Sequence, residues 1–338
     1  MNSISRGHAF IVLLLLKLYF MNCIDALIDC DDIIQENSEL FTGKCNNKWK
    51  NIKSFIRPTQ SEVGYAWIGY KLTDSFDNLN KAQDEMDSNP LPAIIGPDLK
   101  FYIVDDHHTI SALDYSGYTD TVVTVDVICD KRKLSFDNFW LSMENDNLVN
   151  LVRHQQVNDL PVKISPLLLP TMFSFNSSLR TLKDDPWRSI AGYSRKVNYG
   201  NAPNDDSSGN YPYRCMYRGC SDGSKASGFG VPFFEFKWAY YMNDASMKTT
   251  TLWPSNVDYQ SFLTSFSSIE YTNDINNVDI DAWLKTASLI VPLCRTANVS
   301  TYIIPANLYS STSESLPGYV VGYIPLENDP DCMLPRCY

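Results

Sequence analysis

Two adjacent histidines preceded by two aspartates make Asp105-Asp106-His107-His108 the segment of this chain best equipped for chemistry. An imidazole can donate hydrogen bonds or act as acid and base near neutral pH. The aspartates can cap a helix, orient an imidazole or hold a metal. The apolar run Phe101–Val104 reads as a strand entering this polar turn, and Thr109–Tyr115 reads as a short helix leaving it, stopped by Gly117. A strand-to-helix turn aims its N–H groups and the positive end of the helix dipole at one spot, which favours an anion such as phosphate. Of four histidines, only His107, His108 and His154 lie beyond the first 26 residues. A metal site built on the turn needs further ligands that spacing alone does not place, so the metal is left unassigned.

The elements around the turn follow from periodicity. Val63–Leu72 reads as extended, Asp74–Asn89 as a helix with Phe76, Leu79, Ala82 and Met86 on one face, and Leu91–Ile95 as a short strand. Thr121–Cys129 is a β-branched run suited to a central strand, and Ser135 opens a helix over Phe136–Asn147. Farther on, Asp184-Asp185-Pro186 carries the capping carboxylates and first-turn proline of a helix reaching towards Lys196, and Ile280–Leu293 reads as another. Residues 198–230, rich in Asn, Asp, Ser and Gly, read as a loop.

Compartment and charge narrow the function. Arg6 followed by the apolar run Ala9–Leu16 has a signal-peptide layout, with cleavage expected after Ala26. Beyond it lie eight cysteines, an even number that suits disulfides in an oxidising compartment; Cys30–Cys45, Cys215–Cys220 and Cys332–Cys337 are local pairings within reach. Asn176 and Asn298 head glycosylation sequons. No later stretch is apolar and long enough to span a bilayer, so the mature chain is expected to have no membrane span. The formal charge is −11, and about −12 without the leader, and no basic run exceeds Lys131-Arg132-Lys133. Long nucleic acid is therefore disfavoured as a partner, and a small phosphorylated ligand or nucleotide is preferred.

Three ordered blocks, Ile56-Arg57-Pro58-Thr59-Gln60-Ser61-Glu62-Val63-Gly64, Asn89-Pro90-Leu91-Pro92-Ala93-Ile94-Ile95-Gly96-Pro97 and Ile103-Val104-Asp105-Asp106-His107-His108, resemble the Putative ParB-like nuclease family of the ParB/sulfiredoxin superfamily. Asp184-Asp185-Pro186-Trp187-Arg188-Ser189-Ile190-Ala191-Gly192 and Pro232-Phe233-Phe234-Glu235-Phe236-Lys237-Trp238-Ala239 resemble its later stretches. The resemblance runs from about residue 52 to 245, and a weaker match at Leu316-Pro317-Gly318-Tyr319 extends it to 319. It implies a phosphate-handling pocket on the turn: superfamily members place CTP, ATP or ADP there, and the free-serine-kinase branch carries a D-G-H-H-R turn with a glutamate base on the earlier motif. Carried over, Asp105, His107 and His108 match the turn and Glu62 is the counterpart of the glutamate. Thr109 stands where those relatives have an arginine, which removes a phosphate clamp, and the turn has no cysteine for sulfiredoxin chemistry. Arg57 and Gln60 are candidate substrate contacts, as are Arg188 and Lys196, eight apart on one helix.

The resulting expectation is an α+β fold, a ParB/sulfiredoxin-like mixed domain with a helical C-terminal extension. Its divisions are a leader over 1–26, a disulfide-bearing extension over 27–51, the core over 52–150, the helical extension over 151–245 and a C-terminal region over 246–338. The expected function is phosphodiester hydrolysis or phosphoryl transfer on a nucleotide, with Mg2+ as the accompanying ion, by a secreted protein. Asp105, His107, His108 and Glu62 are the expected catalytic residues, and Arg57, Gln60, Asp106, Thr109, Arg188 and Lys196 the expected phosphate or substrate contacts. The alternative is a non-catalytic secreted binding module on the same fold.

Overall fold

The computed structural model describes residues 28–35, 39–146, 148–154, 162–171, 173, 181–194, 196, 236, 239, 242–243, 259–269 and 275–290. The leader, both sequons, the 198–230 loop and the cysteines beyond Cys129 lie outside these residues.

In chain order the elements are β1 (Ile28–Asp29), α1 (Cys30–Ile33), β2 (Gly43–Lys48), α2 (Trp49–Ile52), β3 (Ile56–Pro58), β4 (Glu62–Val63), α3 (Tyr65–Asp74), α4 (Leu79–Ser88), β5 (Leu91–Ile95), β6 (Phe101–Ile103), α5 (His107–Ser116), β7 (Val122–Asp130), α6 (Phe136–Asn145), β8 (Val152–Arg153), β9 (Val162–Lys163), β10 (Lys183–Asp184), α7 (Pro186–Ser194), α8 (Tyr259–Ser268) and α9 (Ile280–Ile290). The principal sheet is mixed, in the order β1-β2-β7-β5-β6-β3. The fold class is α+β, as the sequence led one to expect.

β7 is central because both of its edges are paired: β2 lies antiparallel on one side and β5 parallel on the other. Val123, Val125 and Val127 alternate onto one face, where they join Ile52, Ile68, Met86 and Phe101 in the main core. The opposite face is covered by α6, whose Phe139 and Met143 pack on Ile94 and Tyr102. Residues ahead of 52 take part in the sheet through β1 and β2, and Cys30 and Cys45 are joined in a disulfide. Closing a loop of that 15-residue separation stabilises by about 3 kcal/mol through the entropy of the unfolded chain.

One element departs from the expectation. The extended reading of Val63–Leu72 holds only for β4; α3 begins at Tyr65. The five consecutive residues Tyr65–Gly69 are all buried, so this stretch lacks the polar face by which periodicity marks a surface helix. α3 is covered because α5, α7 and α9 pack against it, and its Ala66 and Trp67 join Trp187, Ile190 and Trp283 in the second large core cluster, which Phe262 and Phe266 of α8 complete. α4 is also shorter than expected, capped by the Asn78 side chain, which accepts the Lys81 N–H.

Candidate functional site

The Asp105–His108 turn forms where β6 ends. Asp106 takes a left-handed conformation, φ 61°, a region that aspartate tolerates better than most residues. The Asp105 carboxylate accepts the Asp106 N–H at 2.8 Å, and the Thr109 hydroxyl donates to the Asp106 carboxylate at 3.3 Å. From here α5 is driven into the core: His107 through Leu113 are all buried.

Both imidazoles are engaged by a single loop. His107 Nε2 accepts the Thr59 N–H at 3.1 Å, and His108 Nε2 accepts the Gly64 N–H at 2.9 Å. A nitrogen that accepts must present a lone pair, so each ring is neutral here with its proton on Nδ1. The two bonds straddle Thr59–Gly64, which is tied down further from within and from other elements. Gln60 donates to the Glu62 carbonyl at 2.7 Å, Ser61 donates to the Val152 carbonyl at 2.7 Å, and the Asn150 N–H donates to the Thr59 carbonyl at 2.8 Å. On its far side this loop becomes β4, paired in parallel with β10.

β4 and β10 assemble a cluster of acidic residues around His154. Glu62 Oε2 lies 2.8 Å from His154 Nδ1, and Glu62 Oε1 accepts the His154 backbone N–H, also at 2.8 Å. Asp185 Oδ2 lies 3.9 Å from the same Nδ1. Asp185 Oδ1 caps α7, accepting the Trp187 N–H at 3.0 Å. Asp184 accepts the Tyr65 N–H at 2.8 Å. Burial raises the Glu62 carboxyl above its ordinary range, with Asp185 adding to the rise, while the bond and charge of His154 oppose it. Asp184 is pushed up to about 7, first by burial and then by the charges of Asp185 and Glu62, against the pull of the Tyr65 N–H. The donor types present, two carboxylates and an imidazole, are those that hold divalent metals.

Glu62, Gln60, His107 and His108 are thus brought together around one loop. Arg188 is buried on α7, its guanidinium 3.7 Å from the centre of the Phe236 ring. Asp105, Asp106 and Thr109 stay at the mouth of α5, bonded among themselves. Arg57 turns back to donate to the carbonyls of Ser54 and Ile56. Lys196 sits 3.6 Å from Asp74 on α3. Sequence reasoning passed over His154 and Asp185 as site residues. The signal for Asp185 was present in the Asp184-Asp185-Pro186-Trp187 block, which local pattern explains as a helix start. His154 had only its rarity to mark it.

Comparison with known proteins locates the resemblance. Residues 51–205 match the family described as Putative ParB-like nuclease. No curated protein matches the chain. Among solved structures, protein Atu1540 from Agrobacterium tumefaciens is 20% identical, with 73% of this chain and 90% of that chain covered and a TM-score of 0.41. The fold described above rests on this chain's own strand pairing.

Proposed function

We propose, from the match of residues 51–205 to the Putative ParB-like nuclease family, that this protein is a secreted phosphoester hydrolase acting on a nucleotide or other small phosphorylated molecule. The observation that carries the proposal is the buried Glu62–His154 pair, held between a loop clamped by two histidines and the Asp184–Asp185 junction. A desolvated carboxylate with a raised pKa accepts a proton more readily than an ordinary one near neutral pH. In the reaction, a water oxygen forms the new P–O bond as the ester P–O bond breaks. The Glu62 group takes the proton from that water, and the proton is returned to the leaving alkoxide.

The phosphate is received at the N-terminus of α5, beside Asp105, Asp106 and Thr109. Two carboxylates at that mouth repel a bare phosphate, so the ligand arrives as its Mg2+ complex. His107 and His108 are positioning residues in this scheme, because their Nε2 atoms hold Thr59 and Gly64. Gln60 positions Glu62 through its carbonyl. Arg188 supplies the buried positive charge nearest in sequence to the acidic junction, and Arg57 is held in reserve at the sheet edge. Hydrolysis is preferred to phosphoryl transfer because a secreted enzyme meets water in excess and donor nucleotide rarely. The Cys30–Cys45 disulfide supports an oxidising compartment, and among the described residues no helix is long and apolar enough to cross a membrane.

The test is turnover of bis(p-nitrophenyl) phosphate and a panel of nucleotides and dinucleotides. The wild-type protein should hydrolyse at least one, and Glu62→Gln should lower its rate by about 10²- to 10⁴-fold. Undiminished turnover in Glu62→Gln would remove the role of Glu62, and a wild-type protein inert on the whole panel would favour the non-catalytic binding module.

A further inference from the structure

We infer that Glu62, His154 and Asp185 form a binding site for one divalent transition-metal cation, Zn2+ or Mn2+. The inference deepens the hydrolase reading, on whose site it rests, by naming a cation that the Glu62–His154 pair and Asp185 would hold together.

Geometry comes first. The three side chains come from β4, from the segment after β8 and from the β10–α7 junction, and one ligand atom from each lies within 4.8 Å of the others. Metal–nitrogen and metal–oxygen bonds of about 2.0–2.2 Å place neighbouring ligand atoms of a tetrahedral site roughly 3.3 Å apart. The observed separations from His154 Nδ1, 2.8 Å to Glu62 and 3.9 Å to Asp185, bracket that value. Shifts of under about 1 Å would seat the ion, which then replaces the proton shared by Nδ1 and Oε2.

The oxygen left over on Asp185 is an independent sign. Its side chain is only 1% exposed, and Oδ1 is spent capping α7. Oδ2 has no hydrogen-bond partner among the described residues and faces His154 at 3.9 Å. A buried carboxylate oxygen without a partner is costly, and a cation would satisfy it.

The ligands are also held from behind. The His154 N–H fixes Glu62 Oε1, which leaves Oε2 aimed at the imidazole, and the α7 N-terminus fixes Asp185. Such outer contacts orient metal ligands. An imidazole nitrogen beside two carboxylates suits Zn2+ or Mn2+ better than Mg2+ or Ca2+, which prefer all-oxygen sites.

The experiment measures metal on the intact secreted protein, independently of turnover. Chelator-treated protein is titrated with Zn2+, Mn2+ and Co2+, followed by dialysis and elemental analysis, for wild type, Asp185→Asn and the surface control Asp120→Asn. Circular dichroism checks that each variant is folded. Wild type and Asp120→Asn should retain about one ion per chain, and Asp185→Asn should bind at least about 10-fold more weakly. Co2+ bound to wild type should show visible d–d bands that change in Asp185→Asn. Should Asp185→Asn fail to fold, the wild-type stoichiometry and the Co2+ bands decide the matter alone. Wild type without stoichiometric metal, or Asp185→Asn binding as well as wild type, overturns the site. Stoichiometric metal without phosphodiester turnover supports the site and sinks the hydrolase. Turnover by metal-free protein does the reverse.

Discussion

Replacing His108 by alanine and by glutamine separates the imidazole's structural task from any chemical one. His108 Nε2 accepts the Gly64 N–H at 2.9 Å inside the protein, and alanine removes that acceptor. A buried N–H left without a partner costs about 1–3 kcal/mol. Loss of ring packing adds to this, so the expected total is about 2–5 kcal/mol, by analogy with other large-to-small changes in cores. Set against a domain stability of about 5–15 kcal/mol, that is a large fraction. Glutamine can place its amide oxygen near the position of Nε2 and accept the same N–H, so His108→Gln should stay within about 1.5 kcal/mol of wild type. Urea unfolding followed by tryptophan fluorescence measures both differences. Equal losses in the two variants would refute the reasoning, since the acceptor would then be irrelevant and the imidazole would matter for its shape or charge. The glutamine variant has a second use. If it folds like wild type, its rate on a hydrolysed substrate reports whether the imidazole does more than hold Gly64.

Two further outcomes test the packing and the electrostatics. Gly64 has an ordinary backbone conformation, φ −82°, but a Cβ built there would lie 2.4 Å from Ser189 Oγ and 2.5 Å from the Ser189 backbone nitrogen. Gly64→Ala should therefore destabilise by about 1–3 kcal/mol or more, because α7 itself must move, and an unchanged melting temperature would mean that α7 does not press on this loop. Burial alone would raise the Glu85 pKa, yet the charge and hydrogen bond of Lys71 at 3.0 Å outweigh it and hold the carboxyl below its ordinary range. A depressed pKa contributes stability above the unfolded value and loses it as pH falls through the folded one. Glu85→Gln should cost about 0.2–1 kcal/mol at pH 7 for so partly exposed a pair, with the difference from wild type shrinking as pH falls from the ordinary glutamate value through the lowered folded one; a gap that acid leaves unchanged contradicts this.

Local pattern sufficed for the elements that periodicity marks strongly. The alternation of Val123, Val125 and Val127 identifies a strand, and Ser135 marks a helix start because its side chain satisfies one of the first free N–H groups, whereas the Asn78 cap, four residues after the expected start at Asp74, emerged only from the structure. The strand-to-helix turn at Asp105–His108 was legible for the same reason, since a strand, a polar break and a helix occur in immediate succession. α3 was not legible, because its first five residues, Tyr65–Gly69, are buried in succession and offer no polar face to reveal the period.

The site divides along the same line. Residue type and order determined that the histidine turn, Glu62 and the Asp184-Asp185 block resemble one family's motifs, and that the chain is too acidic to favour long polyanions. Only the tertiary structure decided that His107 and His108 spend their Nε2 atoms on Thr59 and Gly64, and that Glu62 faces His154 across 92 residues of chain with Asp185 beside it. Hydrogen bonds and metal ligands depend on distances of a few ångströms. Chain separation says nothing about those distances until the parallel pairing of β4 with β10 brings Asp185 beside Glu62 and the Gln60–Asn150 bridge brings up the segment that carries His154.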